Sequence, residues 1–502
     1  MRKRLMALGM CALILASTLG ATSANAAPAL DWQPCQGLPA PLECATLTVP
    51  LDYRNPGGAK LDVAVSRLKS TNPQARRGAL LLNPGGPGGS GLDLPLAIAQ
   101  LSPASLTDAY DLIGFDPRGT GKSSPVTCAL TPEQLDQSKV IPYPAPNGDI
   151  AENVAYAKQV AKQCREHSGK VLPFITTQNT ARDMDGIRAA LGEKKISYLG
   201  YSYGSYLGAV YTTMFPAQSD RIVLDSVVDP REVWRTVWQQ WGPSNEERFE
   251  DFAKWAALRD PSYGLGATPA AVRATYLNLA AKLDKAPLGS YTGNIFRGQV
   301  RGALYDDHNF AIMAKQIQGL LGGQAPPPPS GPPGDEGQSS LATLWGVACD
   351  DATWPGSIAQ HQRDVLVYKQ RYPITAGMPS NVWPCAFWPT KPIEPPLRIG
   401  DRGPSNVLLT QNQRDPATPL VGAKAMRAAL GDRARLVTAD AGGHGAYLFQ
   451  ENACLTNTAT TFLVNGRLPA RDIRCGTELS KRADDPARDR IVQDIQSKQF
   501  PL

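Results

Sequence analysis

From about Thr46 onward, short apolar runs alternate with longer stretches in which apolar residues recur at helical spacing. Leu61–Leu68 reads as a strand, as do the shorter runs Gly78–Leu82 and Tyr110–Phe115. Ile196–Leu199 is a strand closed by Gly200, and Tyr203–Phe215 reads as the helix after it. Arg221–Leu224 is again strand-like. After a long break the pattern resumes at Asn406–Thr410 and Ala434–Thr438, with a helix over Leu420–Leu430 between them. Strands alternating with helices on this scale predict an α/β fold, a mostly parallel sheet flanked by helices.

The break, roughly Pro230 to Pro396, has a different texture. It holds helical patches at Glu246–Leu258 and Ala270–Leu283, a proline-rich flexible tract over Ala325–Gly334, and eight of the nine tryptophans. This predicts a large, mainly helical cap with its own aromatic core, inserted over the carboxyl ends of the strands, where a substrate pocket would be covered. The expected division is a signal peptide at 1–26, a first part of the core at 27–230, the cap at 231–396 and a C-terminal part of the core at 397–502.

The signal is read from Arg2-Lys3-Arg4, the apolar stretch Leu5–Ala16 and the small-x-small site Ala24-Asn25-Ala26. The apolar stretch is too short for a permanent span, so the mature chain is expected to be secreted, with no membrane partner. The net charge of +6 falls to +3 once the three basic residues of the leader are removed, which gives no support to a nucleic-acid partner. Leaving out Cys11, the remaining eight cysteines are an even set in an exported chain, which favours disulfides. Neighbours in sequence, 35–44, 128–164, 349–385 and 454–475, are the expected pairs. With no Cys-x-x-Cys and only four histidines, neither a metal nor another cofactor is expected. A monomer is expected.

Gly200-Tyr-Ser-Tyr-Gly204 lies between a predicted strand and a predicted helix. A serine at such a turn is held clear of the sheet and can act as a nucleophile, provided a base takes its proton and a carboxylate orients the base. In that arrangement the acid and the histidine follow the serine in the chain. His167 precedes it. His308 and His361 fall in the cap and read as solvated surface residues. His444, in Ala441-Gly-Gly-His-Gly-Ala446 just after a strand, is the candidate base. Asp415, after the strand Asn406–Thr410, is the candidate acid, with Asp225 and Asp229 as fallbacks. A developing oxyanion needs donors, and the N–H of Tyr203 supplies one. The loop Asn83-Pro-Gly-Gly-Pro-Gly-Gly-Ser-Gly91 can bring backbone N–H groups equally close. Its formal Gly-x-Gly-x-x-Gly is not a dinucleotide site, because prolines 84 and 87 are wrong for a phosphate turn. Gly119-Thr-Gly-Lys-Ser123 is not a P-loop, because Asp116 stands where that motif needs glycine.

Taken together, Asn83–Gly89, Gly114-Phe-Asp-Pro-Arg-Gly-Thr-Gly121, Gly200–Gly204, Asp415-Pro-Ala-Thr-Pro419 and Gly443-His-Gly445 resemble the secreted tripeptidyl aminopeptidases of actinomycetes. These are α/β-hydrolase serine exopeptidases related to proline iminopeptidases. The resemblance covers nearly the whole mature chain. It implies an α/β-hydrolase core, Ser202 as nucleophile with Asp415 and His444 as partners, Gly86 and Tyr203 as oxyanion donors, and peptides with a free N-terminus as substrates. One departure matters: where proline iminopeptidases carry Gln-Glu-Gly, with a glutamate that anchors the substrate amine, this chain has Gln240-Trp241-Gly242. That favours a longer N-terminal unit over single-proline release. Glu246, Glu247, Asp350 and Asp351 are the candidate amine anchors. The expected activity is release of tripeptides, or tetrapeptides, through an acyl-enzyme. The alternatives are a proline iminopeptidase, a secreted esterase using the same three residues, and a non-catalytic binding module on this scaffold.

Overall fold

The computed structural model describes residues 30–326, 334–477 and 485–499. The expected signal peptide and most of the proline-rich tract lie outside those residues. Ten strands form one sheet: β1 (Gln33–Pro34), β2 (Glu43–Pro50), β3 (Lys60–Leu68), β4 (Gly78–Asn83), β5 (Tyr110–Phe115), β6 (Ile196–Tyr201), β7 (Ser219–Asp225), β8 (Val407–Arg414), β9 (Ala434–Gly442) and β10 (Ile473–Cys475). Their spatial order is β1-β2-β3-β5-β4-β6-β7-β8-β9-β10. The first three strands pair antiparallel, as does β3 with β5, and from β5 to β10 every pairing is parallel.

The parallel strands read as unbroken apolar runs because both faces are covered. Successive side chains leave a strand on opposite faces. Leu81, Ile113, Tyr198 and Leu409 therefore enter one core, while Leu80, Leu112, Leu199 and Leu408 enter the other. In β2, by contrast, Ala45, Leu47 and Val49 are buried and Thr46 and Thr48 exposed, the alternation of a strand with one wet face.

Among the described residues, the long interval between β7 and β8 is helical or irregular apart from a single bridge, Leu288–Tyr291. It has a core of its own, built on Phe249, Phe252, Tyr276, Phe296 and Phe310. The tryptophans do not form that core. Trp234, Trp238, Trp241, Trp345, Trp354 and Trp383 join the core beneath the sheet, and of the eight only Trp255 packs on the separate cluster. Rings of Trp238 and Trp383 stand 4.4 Å apart, and Trp234 packs edge-on to Tyr206 of the helix Tyr203–Met214 at 5.2 Å. The tryptophans thus weld the insertion to the sheet.

Four disulfides close the pairs 35–44, 128–164, 349–385 and 454–475. Among the described residues, no helix is long and apolar enough to cross a membrane. His361 departs from its expected surface position. It is fully buried, with Nε2 at 3.0 Å from the Pro355 carbonyl oxygen. His308, beside Asp306, does reach solvent, and that carboxylate pushes its pKa up to about 9.

Candidate active site

The end of β6 feeds directly into the helix Tyr203–Met214, and Ser202 is the residue at the joint. Its backbone has φ 57° and ψ −122°, a left-handed conformation that is unfavourable for a residue with a Cβ. Strain of this kind persists only where the surroundings over-determine it. Here they do: Ser202 N–H donates to the Asp225 carbonyl at 3.0 Å, and the Ser202 carbonyl accepts from Ser205 Oγ at 2.6 Å. The neighbouring chains crowd in. A Cβ at Gly204 would lie 2.7 Å from Asn83 Oδ1, and one at Gly85 would lie 2.6 Å from the Tyr201 carbonyl oxygen. Those two glycines are therefore required by close approach.

The Gly85 contact also places the Asn83–Gly91 loop against the serine turn. Asn83 Oδ1 accepts from Gly85 N–H at 3.0 Å, and Asp116 accepts from Ser90 Oγ and Gly91 N–H at 2.7 and 3.0 Å. Asp116 comes from the Gly114–Gly121 motif, which therefore acts as a clamp on the glycine loop. Tyr203, at the first helical position, has an N–H with no acceptor inside its own helix.

Asp415 and His444 are both almost fully buried. His444 Nδ1 is 2.9 Å from each carboxylate oxygen of Asp415. Asp415 also accepts from the N–H groups of Ala417 and Thr418, at 2.8 and 2.9 Å, and from Thr418 Oγ1 at 3.0 Å. A carboxylate so placed holds a proton on Nδ1 and leaves the Nε2 lone pair as acceptor. His444 Nε2 is buried and has no hydrogen-bond partner among the described residues.

Asp225 ties the two halves of the site together. Its carbonyl accepts from Ser202, while its carboxylate accepts from Ala446 and Tyr447 N–H, at 2.8 and 2.7 Å, and from Thr410 Oγ1 at 2.6 Å. Burial pushes its pKa up to about 6 against the pull of those donors. The fallback acid is thus a brace that fixes the histidine loop relative to the serine turn. Asp229 instead pairs with Arg231 at 2.7 Å.

Ser202, Gly86, Tyr203 and Thr418 line one small cavity, walled by Trp234, Trp238 and Trp241 and bounded by Tyr305 and Gln499. None of the four candidate amine anchors lines it. Glu246 is bound to Arg273 and to the Ile374 N–H, and Glu247 is exposed. Asp350 accepts from Trp388 Nε1 and Thr390 Oγ1. Asp351 comes nearest, one layer behind the wall. It accepts from Trp234 Nε1 at 3.1 Å and from Thr177 Oγ1 at 2.6 Å, and Thr177 Oγ1 in turn meets Tyr203 OH at 2.9 Å.

Asp350 carries a stability prediction. Burial pushes its pKa up to about 7, partly opposed by its two donors. An unfolded aspartate titrates near 4, so between about pH 4 and pH 7 the unfolded chain has released a proton that the folded chain keeps. Unfolding is thereby favoured as pH rises, by up to about 4 kcal/mol above pH 7. In Asp350→Asn the amide still accepts from Trp388 and can donate to Thr390, and the penalty is gone. Denaturant unfolding should show the variant level with wild type near pH 3 and more stable at pH 8. A stability difference that does not change with pH refutes this.

Of the residues just described, sequence reasoning missed Thr418, Tyr305 and Gln499, and it undervalued Asp225. Thr418 had a local signal, since a threonine three residues after an aspartate can close a turn on its carboxylate. Gln499 had none.

The comparisons with known proteins bear on this site. Residues 78–290 match the model of the alpha/beta hydrolase fold, and residues 372–475 match that of the TAP-like proteins. The tripeptidyl aminopeptidase of Streptomyces lividans is 37% identical over 90% of this chain and 88% of its own. Carboxylesterase B of Mycobacterium tuberculosis is 31% identical over 89% of this chain and 90% of its own, and the serine protease Hip1 of the same organism is 27% identical over 89% and 91%. Likeness of this extent runs through both parts of the sheet and the insertion between them. The chain therefore belongs to the tripeptidyl aminopeptidase family of α/β-hydrolase serine hydrolases.

Proposed function

We propose that this protein is a secreted serine aminopeptidase that releases tripeptides from free N-termini, with Ser202 as nucleophile, His444 as base and Asp415 as its orienting acid. The observation that carries the reading is the buried Asp415–His444 pair beside a strained serine turn that shares Asp225 with the histidine loop. Ser202 Oγ attacks the scissile carbonyl as His444 Nε2 takes its proton, and the Asp415 carboxylate stabilises the imidazolium. The N–H groups of Gly86 and Tyr203 receive the oxyanion. His444 then protonates the leaving amine, and water attacks the acyl-enzyme by the same steps. The four disulfides support the reading of residues 1–26 as an export signal.

An exopeptidase measures a fixed distance from the substrate ammonium to the scissile carbonyl, and a closed cavity does this physically. Of the four carboxylates considered, Asp351 lies nearest the cavity, behind Trp234, with its oxygens already taken by Trp234 Nε1 and Thr177. A tripeptide anilide with a free amine should be cleaved at least 100-fold faster, in kcat/KM, than its N-acetylated form, because acetylation removes the charge and adds bulk at the end from which an exopeptidase measures. A simple aryl ester run alongside tests the second reading, an esterase, which is favoured by a cavity wall with no carboxylate among the described residues. Equal cleavage of acetylated and free tripeptides would overturn the aminopeptidase reading.

A further inference from the structure

The helix Pro486–Gln499 closes against both reactive loops. Gln496 Nε2 donates to the His444 carbonyl oxygen at 2.7 Å. Lys498 Nζ pairs with Asp93, just past the glycine loop, and its carbonyl comes so near Gly89 that a Cβ there would lie 2.6 Å from the oxygen. These contacts set the last described residue, Gln499, in the wall of the cavity that holds Ser202.

Gln499 is 2% exposed, and neither Oε1 nor Nε2 has a hydrogen-bond partner among the described residues. Three polar neighbours in the same wall are committed elsewhere. Trp241 Nε1 donates to the Ala417 carbonyl, Trp234 Nε1 to Asp351, and Thr418 Oγ1 to Asp415. A primary amide that is desolvated and unpaired is costly to keep, and buried polar groups are otherwise satisfied. An apolar side chain of the same size would fill the space without that cost.

We propose that Gln499 is a substrate-binding residue that pairs with a main-chain peptide group of the bound peptide, Oε1 accepting its N–H and Nε2 donating to its C=O. This rests on the peptidase reading above. A carboxamide offers one acceptor and one donor side by side, which is the complement of a peptide group. An ammonium would use Oε1 alone and leave Nε2 stranded, and an ester group would leave Oε1 stranded. The residue selects amide-linked chains by leaving its own groups unpaired when an N–H is missing.

The test compares a free-amine tripeptide anilide with its depsipeptide analogue, in which ester oxygens replace the internal N–H groups. Wild type should prefer the all-amide substrate by about 10–100-fold in kcat/KM. In Gln499→Leu that preference should collapse to within about threefold of unity, because the selecting group is gone. Gln499→Met is read in the same way should the leucine variant fail to fold. A purely structural role would slow both substrates together and leave their ratio intact, and an intact ratio overturns the proposal. So does a wild type without the preference. A wild type that hydrolyses aryl esters but no tripeptide anilide defeats the peptidase reading itself. That result is seen before any variant is made and is distinct from failure of the Gln499 assignment alone.

Discussion

Ser202→Ala and His444→Ala are each expected to lose about 10⁴–10⁶-fold in kcat on any substrate the enzyme turns over. Both side chains are nearly or fully buried, and neither substitution removes the bonds that build the site. The Ser202 backbone bonds to Asp225 and Ser205 survive the loss of Oγ, and the His444 backbone bonds to Tyr305 and Gln496 survive the loss of the ring. Thermal unfolding should therefore move little for Ser202→Ala. In His444→Ala the Asp415 carboxylate loses one partner but keeps three donors from Ala417 and Thr418, so the fold should also persist. The two residues act as one unit, and the double variant should be scarcely slower than either single one. Turnover by Ser202→Ala within tenfold of wild type would remove the serine mechanism.

Arg118→Met should cost about 3–5 kcal/mol in denaturant unfolding. Arg118 is fully buried, and all five of its N–H groups are used. Two go to the Asp183 carboxylate, at 2.6 Å each, and the others reach the carbonyls of Pro50, Leu51 and Phe174. Among the described residues, removing the guanidinium leaves Asp183 buried with only the Tyr53 hydroxyl, at 2.7 Å, and strands three carbonyls. The double variant Arg118→Met/Asp183→Leu should recover part of the loss, because the buried charge is gone as well. A loss below 1 kcal/mol in the single variant would show that the pair does not hold the Gly114–Gly121 loop. That loop carries Asp116, the clamp on the glycine loop, so the arginine supports the site from two steps away.

Much of the core was legible because its elements are local. An apolar run too short for a helix and bounded by turn residues reads as a buried strand, and β4 to β9 follow that rule. β2, whose alternation runs over only Ala45 to Val49, is not among the strands predicted from sequence, and the edge strands β1 and β10, two and three residues long, carry no period to read. The Gly-x-Ser-x-Gly turn is legible for the same local reason: its glycines, its strand and its helix are contiguous. His444 and Asp415 followed from chain order and strand ends, which are topological facts that need no distances.

Whatever depends on which distant surfaces meet was beyond the sequence. The tryptophans of the insertion read as a separate core by composition, yet they pack on the sheet, since burial is decided by the neighbour and not by the residue. Asp225 and Asp415 both follow strands and look alike in sequence. One braces two loops and the other meets the imidazole, a distinction made by the direction each side chain takes from its strand end. The carboxylates proposed as amine anchors are chemically apt, but tertiary packing spends Glu246, Asp350 and Asp351 on internal donors. Gln499 is the reverse case, an unremarkable polar residue in sequence. Only the docking of its helix against the His444 and Gly89 loops buries its amide in the cavity without partners. Sequence by itself determined β3 to β9 and the Gly-x-Ser-x-Gly turn, because those rest on local conformational preference. Packing between segments far apart decided the walls of the cavity, because desolvation and hydrogen-bond pairing exist only once those segments meet.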